Sequence, residues 1–248
     1  MNKSKKKQRI LLGVLLILLS VLCYAVHFVI FRDAHHIFIY LVGDVAFVFI
    51  EVLLVTLIIH KLLSNREKRV ILQKLNMVIG AFFTRMGSDL LKFFRGFDTN
   101  NNKVAKHLVI EQGWSQAHFF KIRKVMESHD FEINATTGDL QGLKKLLLGD
   151  SDFVLRLLEN QNLLEHESFT ELLWAVSHLS EELSHRKNLE TLTEKDGEHL
   201  AKDIKRAYRI LIREWLSYME HLKNEYPYLF SLALRTNPFD PEASIELR

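Results

Sequence analysis

The chain has 248 residues, of which 48% are hydrophobic, and a formal net charge of +3. Its single cysteine, Cys23, excludes intrachain disulfides and cysteine-rich iron–sulfur or zinc sites. Three prolines and ten glycines provide few turn formers, which favours long helices over a β-rich fold. The part after residue 60 holds 27 Lys/Arg and 27 Asp/Glu, so it is neutral and does not have the basic excess typical of nucleic-acid-binding domains.

Residues 1–9 form a basic tail, and residues 10–60 are predicted to form a transmembrane hairpin. The first span, 10–31, carries no full charge, and at about 1.5 Å per residue it covers roughly 33 Å, enough for a hydrocarbon core of about 30 Å. A cleaved signal peptide is the competing interpretation, but this apolar run is too long and no Ala-x-Ala site follows it. A short polar turn at 32–36 leads to a second span at 37–59.

Basic residues lie at the outer ends of both predicted spans. Five precede the first span and five follow the second within residues 61–74, whereas the connecting turn contains only Arg32. Because Lys and Arg accumulate on the cytoplasmic side of membrane proteins, both termini are predicted to be cytoplasmic. The chain is therefore predicted to be a multi-pass membrane protein whose first partner is the lipid bilayer.

Polar side chains inside the spans form a pattern of their own. Asp44 and Glu51, seven residues apart, share one face of the second span, and Ser20, Tyr24 and His27 lie on one stripe of the first. Antiparallel pairing places Tyr24 level with Asp44, and Ser20 close to Glu51. These groups either pack the hairpin or a homo-oligomer through hydrogen bonds, or line a path for protons or cations. The second interpretation needs several copies, because two helices cannot enclose a pore.

The rest of the chain is predicted to be helical, so the fold class is all-α. Residues 61–97 have no proline and a three-to-four-residue apolar repeat, which predicts a long helix continuing from the second span. The polar run 98–102 predicts a linker, and 98–248 are predicted to form a helical cytoplasmic domain with an irregular tail. The apolar repeat consists of Ile71, Leu75, Val78, Phe82, Met86 and Leu90. Helices are predicted near 102–112, 115–128, 139–148, 151–162, 168–186 and 193–224, with a short one after Pro227.

Two helix starts in this domain carry capping signals. Ser168 followed by Glu171 resembles a capping box, which predicts that a helix begins there. Thr193 is predicted to open the next long helix, whose apolar face continues to about residue 224. The residues of that face are Leu200, Ile204, Ala207, Leu211, Trp215, Tyr218 and Leu222.

Two histidine clusters are weak candidates for metal binding. His35 and His36 lie beside an acid in the predicted outer turn, where short loops often carry such residues incidentally. His178, Glu182 and His185 share a face of the predicted 168–186 helix, and carboxylate-bridged metal bundles need two Glu-x-x-His pairs, of which only one is present. The apolar face of this helix turns the histidines outward, which favours a solvated face. His199, Asp203 and Arg206 similarly occupy the polar side of the next helix.

Catalytic signatures are absent from the sequence. It contains no glycine-rich phosphate loop, GxGxxG, Gly-x-Ser-x-Gly or HExxH motif, so no enzyme activity and no cofactor are predicted. Three hypotheses of function follow, of which the last and weakest is a metal-dependent enzyme built on His178, Glu182 and His185. In the first, the hairpin anchors an interaction or sensory module that binds a partner protein or a second copy through its cytoplasmic helices. In the second, the chain is a subunit of an oligomeric proton or cation channel or transporter that uses Asp44 and Glu51.

The segment IYLVGDVAFVFIEVLLVTLIIHKLLSNREKR, residues 39–69, resembles the second span and exit of uncharacterised prokaryotic two-span membrane proteins with a cytoplasmic helical domain. The resemblance covers about 30 residues. It implies a two-span topology in a bacterial or archaeal inner membrane, and it implies no particular activity.

Overall fold

The structure, a computed structural model, describes residues 3–161, 163 and 166–246, and leaves out the side chains of residues 3–6, 9–10, 36 and 67–71. Its helices are α1 (Lys3–Phe31), α2 (Ala34–Phe82), a π-helical turn (Phe83–Gly87), α3 (Ser88–Phe97), α4 (Asn101–Leu108), α5 (Gln116–Ser128), α6 (Leu140–Gly149), α7 (Ser151–Leu158), α8 (Glu167–His185), α9 (Glu194–Glu225) and α10 (Pro227–Arg235). The all-α prediction is confirmed, since the described residues contain no strand beyond one isolated bridge.

The chain divides into two compact units, residues 1–68 and 69–248. The first contains two segments that are long and apolar enough to cross a membrane, Leu11–Phe31 and Ile37–Arg66. No residue in their most apolar windows is buried, so these helices build no core of their own within the chain.

The connection between α1 and α2 is shorter than the predicted turn at 32–36. Only Arg32 and Asp33 lie outside the helices, so His35 and His36 belong to the first turn of α2 rather than to a loop. Arg32 closes α1 by donating its N–H to the carbonyl of Phe28 at 2.8 Å, and it has a positive φ of 48°. A single left-handed residue of this kind reverses the chain after a helix.

The core of the second unit surrounds α9. This helix packs against α3, α5, α8 and α10. Every residue of its predicted apolar face is buried except Tyr218, which is half-buried, and Tyr208, Ile212 and Leu216 on other sides are buried as well. A helix that is apolar around most of its circumference is central to its domain.

The predicted apolar repeat before residue 98 packs into this same core. Leu75, Phe82, Met86 and Leu90 are buried, and Val78 is partly buried. The side chain of the remaining member, Ile71, lies outside the described ones. A π-helical turn interrupts the repeat at Phe83–Gly87 and brings Phe83, which is not part of the repeat, into the core beside it.

Helix starts follow the predicted capping chemistry at α9 and depart from it at α8. The hydroxyl of Thr193 accepts a hydrogen bond from the backbone N–H of Asp196 at 3.3 Å, as predicted. At α8 the prediction of Ser168 as the cap is wrong. The helix begins at Glu167, and His166 caps it through Nδ1, which accepts the N–H of Phe169 at 3.2 Å.

The polar run after α3 is shorter than the predicted linker 98–102: residues 98–100 form a turn between α3 and α4, and Asn101 and Asn102 already belong to α4. Asp98 is buried and pairs through its backbone with Ile133 in the isolated bridge. The carboxylate of Asp98 accepts the N–H of Asn100 at 3.0 Å, and burial raises the pKa of Asp98 above its ordinary value. These contacts connect the end of α3 to the segment after α5.

Candidate functional site

The interface between α8 and α9 contains two histidines and two acids whose polar ends converge. His178 and Glu182 lie one turn apart on α8, and His199 and Asp203 lie one turn apart on α9. Each histidine faces the acid of the other helix. His178 Nε2 is 3.5 Å from Asp203 Oδ2, and His199 Nε2 is 3.7 Å from Glu182 Oε1. We call these four residues the His–acid cluster.

Asp203 is the inner member of the His–acid cluster. It is only 4% exposed, and its Oδ1 accepts a hydrogen bond from Arg206 Nη2 at 3.3 Å. Its Oδ2 points between the two histidines, 3.5 Å from His178 Nε2 and 3.3 Å from His199 Nε2. Among the residues that the structure describes, Oδ2 has no hydrogen-bond partner. A buried carboxylate oxygen without a partner is unusual, because it forgoes hydration without replacement.

Glu182 is the more accessible acid of the cluster. Its Oε2 accepts a short hydrogen bond from Arg186, which lies one turn further along α8, and Arg186 also approaches Asp196 at 3.6 Å. The hydrogen bond from Arg186 lowers the pKa of Glu182, so this carboxyl is held in its charged form. The other oxygen, Oε1, is the one that faces His199.

The local sequence explains why the four side chains meet. A leucine follows each histidine, and both leucines, Leu179 and Leu200, are fully buried in the interface between the helices. Because consecutive residues on a helix are rotated by about 100°, these leucines place the histidines at the rim of the interface. The two histidine side chains are 44% and 51% exposed, so solvent reaches the cluster from one side.

Of the three metal candidates predicted on α8, the structure brings His178 and Glu182 together, and His199 of α9 joins them. The ligand atoms of His178, Glu182 and His199 all lie within 4.8 Å of one another, whereas His185, exposed at the end of α8, does not belong to this group. At the hairpin turn His35 is exposed, and the side chain of His36 lies outside the described ones.

Sequence reasoning placed His199 and Asp203 on a polar helix face but did not connect them with α8. A detectable signal is present, because the pattern His-Leu-x-x-acid occurs on both helices, as HLSEE at 178–182 and HLAKD at 199–203. Two such patterns on consecutive helices, separated by a short connection, place two histidine–acid pairs at the same end of an antiparallel helix pair.

A second polar feature lies in the first unit. A groove of about 800 Å³ between α1 and α2 is lined by apolar side chains together with Ser20, Tyr24, His27 and Asp44. These are four of the five residues of the predicted intramembrane polar face. Glu51, the fifth, is not part of the groove lining.

The chain matches two family descriptions over most of its length. Residues 3–63 match "MJ1433, N-terminal helical domain", and residues 71–235 match "Uncharacterized protein MJ1433, C-terminal helical domain". The gap between the two matches contains the boundary between the two compact units at residue 68. The "Uncharacterized protein MJ1433" of Methanocaldococcus jannaschii is 47% identical over 242 residues, which cover 98% of this chain and 97% of the relative. No solved structure matches the chain significantly.

Proposed function

The chain belongs to the MJ1433 family, whose members combine an N-terminal and a C-terminal helical domain, and we propose that these two domains are a two-span membrane anchor and a cytoplasmic interaction or sensory module. The proposed location is the cell inner membrane, with both termini in the cytoplasm. Neither family description names a reaction, and the sequence contains no catalytic motif, so the proposed role is binding rather than catalysis.

The observation that carries the proposal is the exposure of the two apolar helices. From Leu11 to Leu63, large apolar side chains that are 37–74% exposed follow one another along α1 and α2. A soluble monomer rarely exposes a continuous apolar patch larger than a few hundred Å². A lipid bilayer covers such a surface without any specific partner, and both segments have the length that spans its hydrocarbon core.

The distribution of charge supports the proposed orientation. Lys and Arg flank the outer ends of both apolar segments, and Arg32 is the one basic residue between them. The second unit, which would lie in the cytoplasm, has a folded core and balanced charge. It has the properties of a soluble domain held at the membrane surface.

The test uses single cysteines, which the chain permits because Cys23 is its only native one. In a Cys23→Ser background, Ala34→Cys reports on the turn, and Asn102→Cys, at an exposed position, reports on the second unit. In intact bacterial cells, a membrane-impermeant maleimide is expected to label Ala34→Cys, and to label Asn102→Cys only after lysis. Labelling in the opposite order would contradict the orientation, and release of the protein by alkaline carbonate would contradict membrane anchoring.

A second candidate function is a proton or cation pathway in an oligomer. The groove lined by Asp44, His27 and Tyr24 supports it, because polar groups at membrane depth usually face protein or water rather than lipid. The test is a flux assay in proteoliposomes, with an Asp44→Asn/Glu51→Gln double variant and Asp33→Asn in the turn as the matched control. Flux that is lost in the double variant but retained in Asp33→Asn supports the pathway. Flux that is absent from the wild type or unchanged in the double variant contradicts it.

A further inference from the structure

The ligand atoms of His178, Glu182 and His199 lie within 4.8 Å of one another, and Asp203 Oδ2 lies beside both histidines. Zn²⁺ binds imidazole nitrogen and carboxylate oxygen at about 2.0–2.2 Å, so neighbouring ligand atoms in a tetrahedral site lie about 3.3–3.6 Å apart. The separations measured here are 3.3 Å for His199–Asp203, 3.5 Å for His178–Asp203 and 3.7 Å for His199–Glu182. We propose that His178 and Glu182 of α8, with His199 and Asp203 of α9, bind one divalent transition-metal ion.

Hydrogen bonding alone does not account for this arrangement. None of the three contacts is a hydrogen bond: Asp203 Oδ2 accepts none from the described residues, and His199 Nε2 lies 3.7 Å from Glu182 Oε1, beyond hydrogen-bond range. Asp203 Oδ2 is buried, and although both imidazole Nε2 atoms lie beside it, neither is placed to form a hydrogen bond with it. A cation among the four ligand atoms supplies the partner that this oxygen otherwise does not have.

Two arginines hold the acids in the orientation that a metal site requires. Arg206 binds Oδ1 of Asp203, and Arg186 binds Oε2 of Glu182. In both acids the oxygen away from the histidines is therefore occupied, and the oxygen toward the histidines is left for an ion. Groups that fix metal-binding carboxylates in this way increase metal affinity.

The ligand types select the class of ion. Imidazole nitrogen is a preferred ligand of Zn²⁺, Cu²⁺, Ni²⁺ and Fe²⁺, whereas Mg²⁺ and Ca²⁺ prefer sites made of oxygen ligands. The exposed imidazoles give an ion access from solvent, and Asp203 closes the inner side. Zn²⁺ is therefore the appropriate first probe. This inference goes beyond the membrane proposal and does not depend on it, because all four ligands belong to the second unit.

The test is a Zn²⁺ titration of the full-length protein in detergent micelles, prepared without a polyhistidine tag and stripped with a chelator. Competition with a chromophoric chelator measures stoichiometry and affinity. We expect one Zn²⁺ per chain, and a loss of affinity of about tenfold or more in His178→Gln and in His199→Gln. Both positions are exposed, so these variants are expected to fold. His185→Gln, on the same helix outside the cluster, is the matched control and is expected to bind like the wild type.

Two results of the Zn²⁺ titration overturn the proposal. One is the absence of saturable Zn²⁺ binding by the wild-type protein. The other is an affinity that remains unchanged in both His178→Gln and His199→Gln, which places any bound ion elsewhere. Mg²⁺ at the same concentrations is expected not to compete. Competition by Mg²⁺ equal to that of Zn²⁺ likewise contradicts an imidazole-containing site.

Trp174 provides an independent readout. It lies one turn before His178 on α8 and is 62% exposed. Paramagnetic Cu²⁺ in the His–acid cluster is expected to quench its fluorescence saturably, and the quenched component is expected to disappear in Trp174→Phe. In Asp203→Asn, which retains the shape of the side chain but not its charge, the quenching is expected to need about tenfold more Cu²⁺. Quenching that is equal in wild type and Trp174→Phe contradicts the assigned position.

Discussion

The rings of Phe82 and Phe169 meet edge to face, with 5.3 Å between their centroids and 89° between their planes. Phe82 is the last residue of α2, Phe169 lies in the first turn of α8, and both are completely buried. The end of α2 is therefore part of the core that α8 and α9 build. Edge-to-face pairs of this kind add about 0.5–1.5 kcal/mol to the burial of the rings themselves.

This pair predicts which fragment of the chain folds. A fragment of residues 69–248 contains both rings and is expected to unfold cooperatively on heating. A fragment of residues 98–248 has lost Phe82, Met86 and Leu90 with the rest of the segment, and is expected to be loosely packed. Circular dichroism melts of the two fragments check this. Equal melting temperatures would show that the segment before residue 98 contributes nothing to the core.

The core position of Phe169 predicts a large effect of truncation. Phe169→Ala is expected to lower the unfolding free energy of the 69–248 fragment by about 3–5 kcal/mol, because it removes a buried ring and leaves a cavity. Phe120→Ala is the matched control. Phe120 is 58% exposed, and its truncation is expected to change stability by no more than about 0.5 kcal/mol. Urea unfolding measures both changes, and similar losses in the two variants contradict the assignment of Phe169 to the core.

A methyl group added at Gly138 is predicted to destabilise the domain. A Cβ at this position would lie 2.5 Å from Cδ1 of Phe97, a fully buried ring that cannot move without disturbing its neighbours. Gly138→Ala is expected to cost about 1–3 kcal/mol, as overpacking usually does. At Gly149 a Cβ meets nothing within 4 Å, and Gly149→Ala is expected to leave stability unchanged or raise it slightly. A Gly138→Ala variant as stable as Gly149→Ala would show that the Phe97 ring gives way freely.

Asp98 is predicted to make stability depend on pH. Burial raises its pKa in the folded chain, so the folded state favours the protonated carboxyl. The stabilising contribution of that proton is fully present below the pKa of the unfolded chain and is lost as pH rises through the folded pKa. Asp98→Asn resembles the protonated form and is expected to be spared this loss. The stability of the variant relative to wild type is therefore expected to rise with pH across this interval.

Urea midpoints of the 69–248 fragment between pH 3 and pH 7 measure this difference. Glu190→Gln, at an exposed position, serves as the control and is expected to follow the wild-type pH profile. Parallel profiles for Asp98→Asn and wild type would contradict the raised pKa of Asp98, because they would show that ionising the buried carboxyl does not destabilise the folded state.

Local sequence patterns determine most of the helix positions in this chain. The Thr193 cap and the apolar face that follows it define α9, because a capping hydroxyl and a 3.6-residue repeat act within one helix. The cap of α8 was missed, because histidine is an uncommon capping residue and Ser168 followed by Glu171 offered a more familiar pattern.

Features that depend on long-range contacts could not be derived in the same way. The polar residues after Phe97 have the composition of a linker, and the burial of Asp98 follows from its pairing with Ile133, which is distant in sequence. The His–acid cluster has the same origin. His178 and Glu182 were visible as one helix face, but their partners follow from the register in which α9 lies against α8.

The central position of α9 has a consequence for synthesis of the chain. Helices α3, α5 and α8 all pack against α9, which is made after them, and so they complete their core only when residues up to Glu225 have left the ribosome. Until then their apolar faces stay uncovered. We therefore expect the nascent second unit to depend on holding factors late in translation, because uncovered apolar surface promotes aggregation.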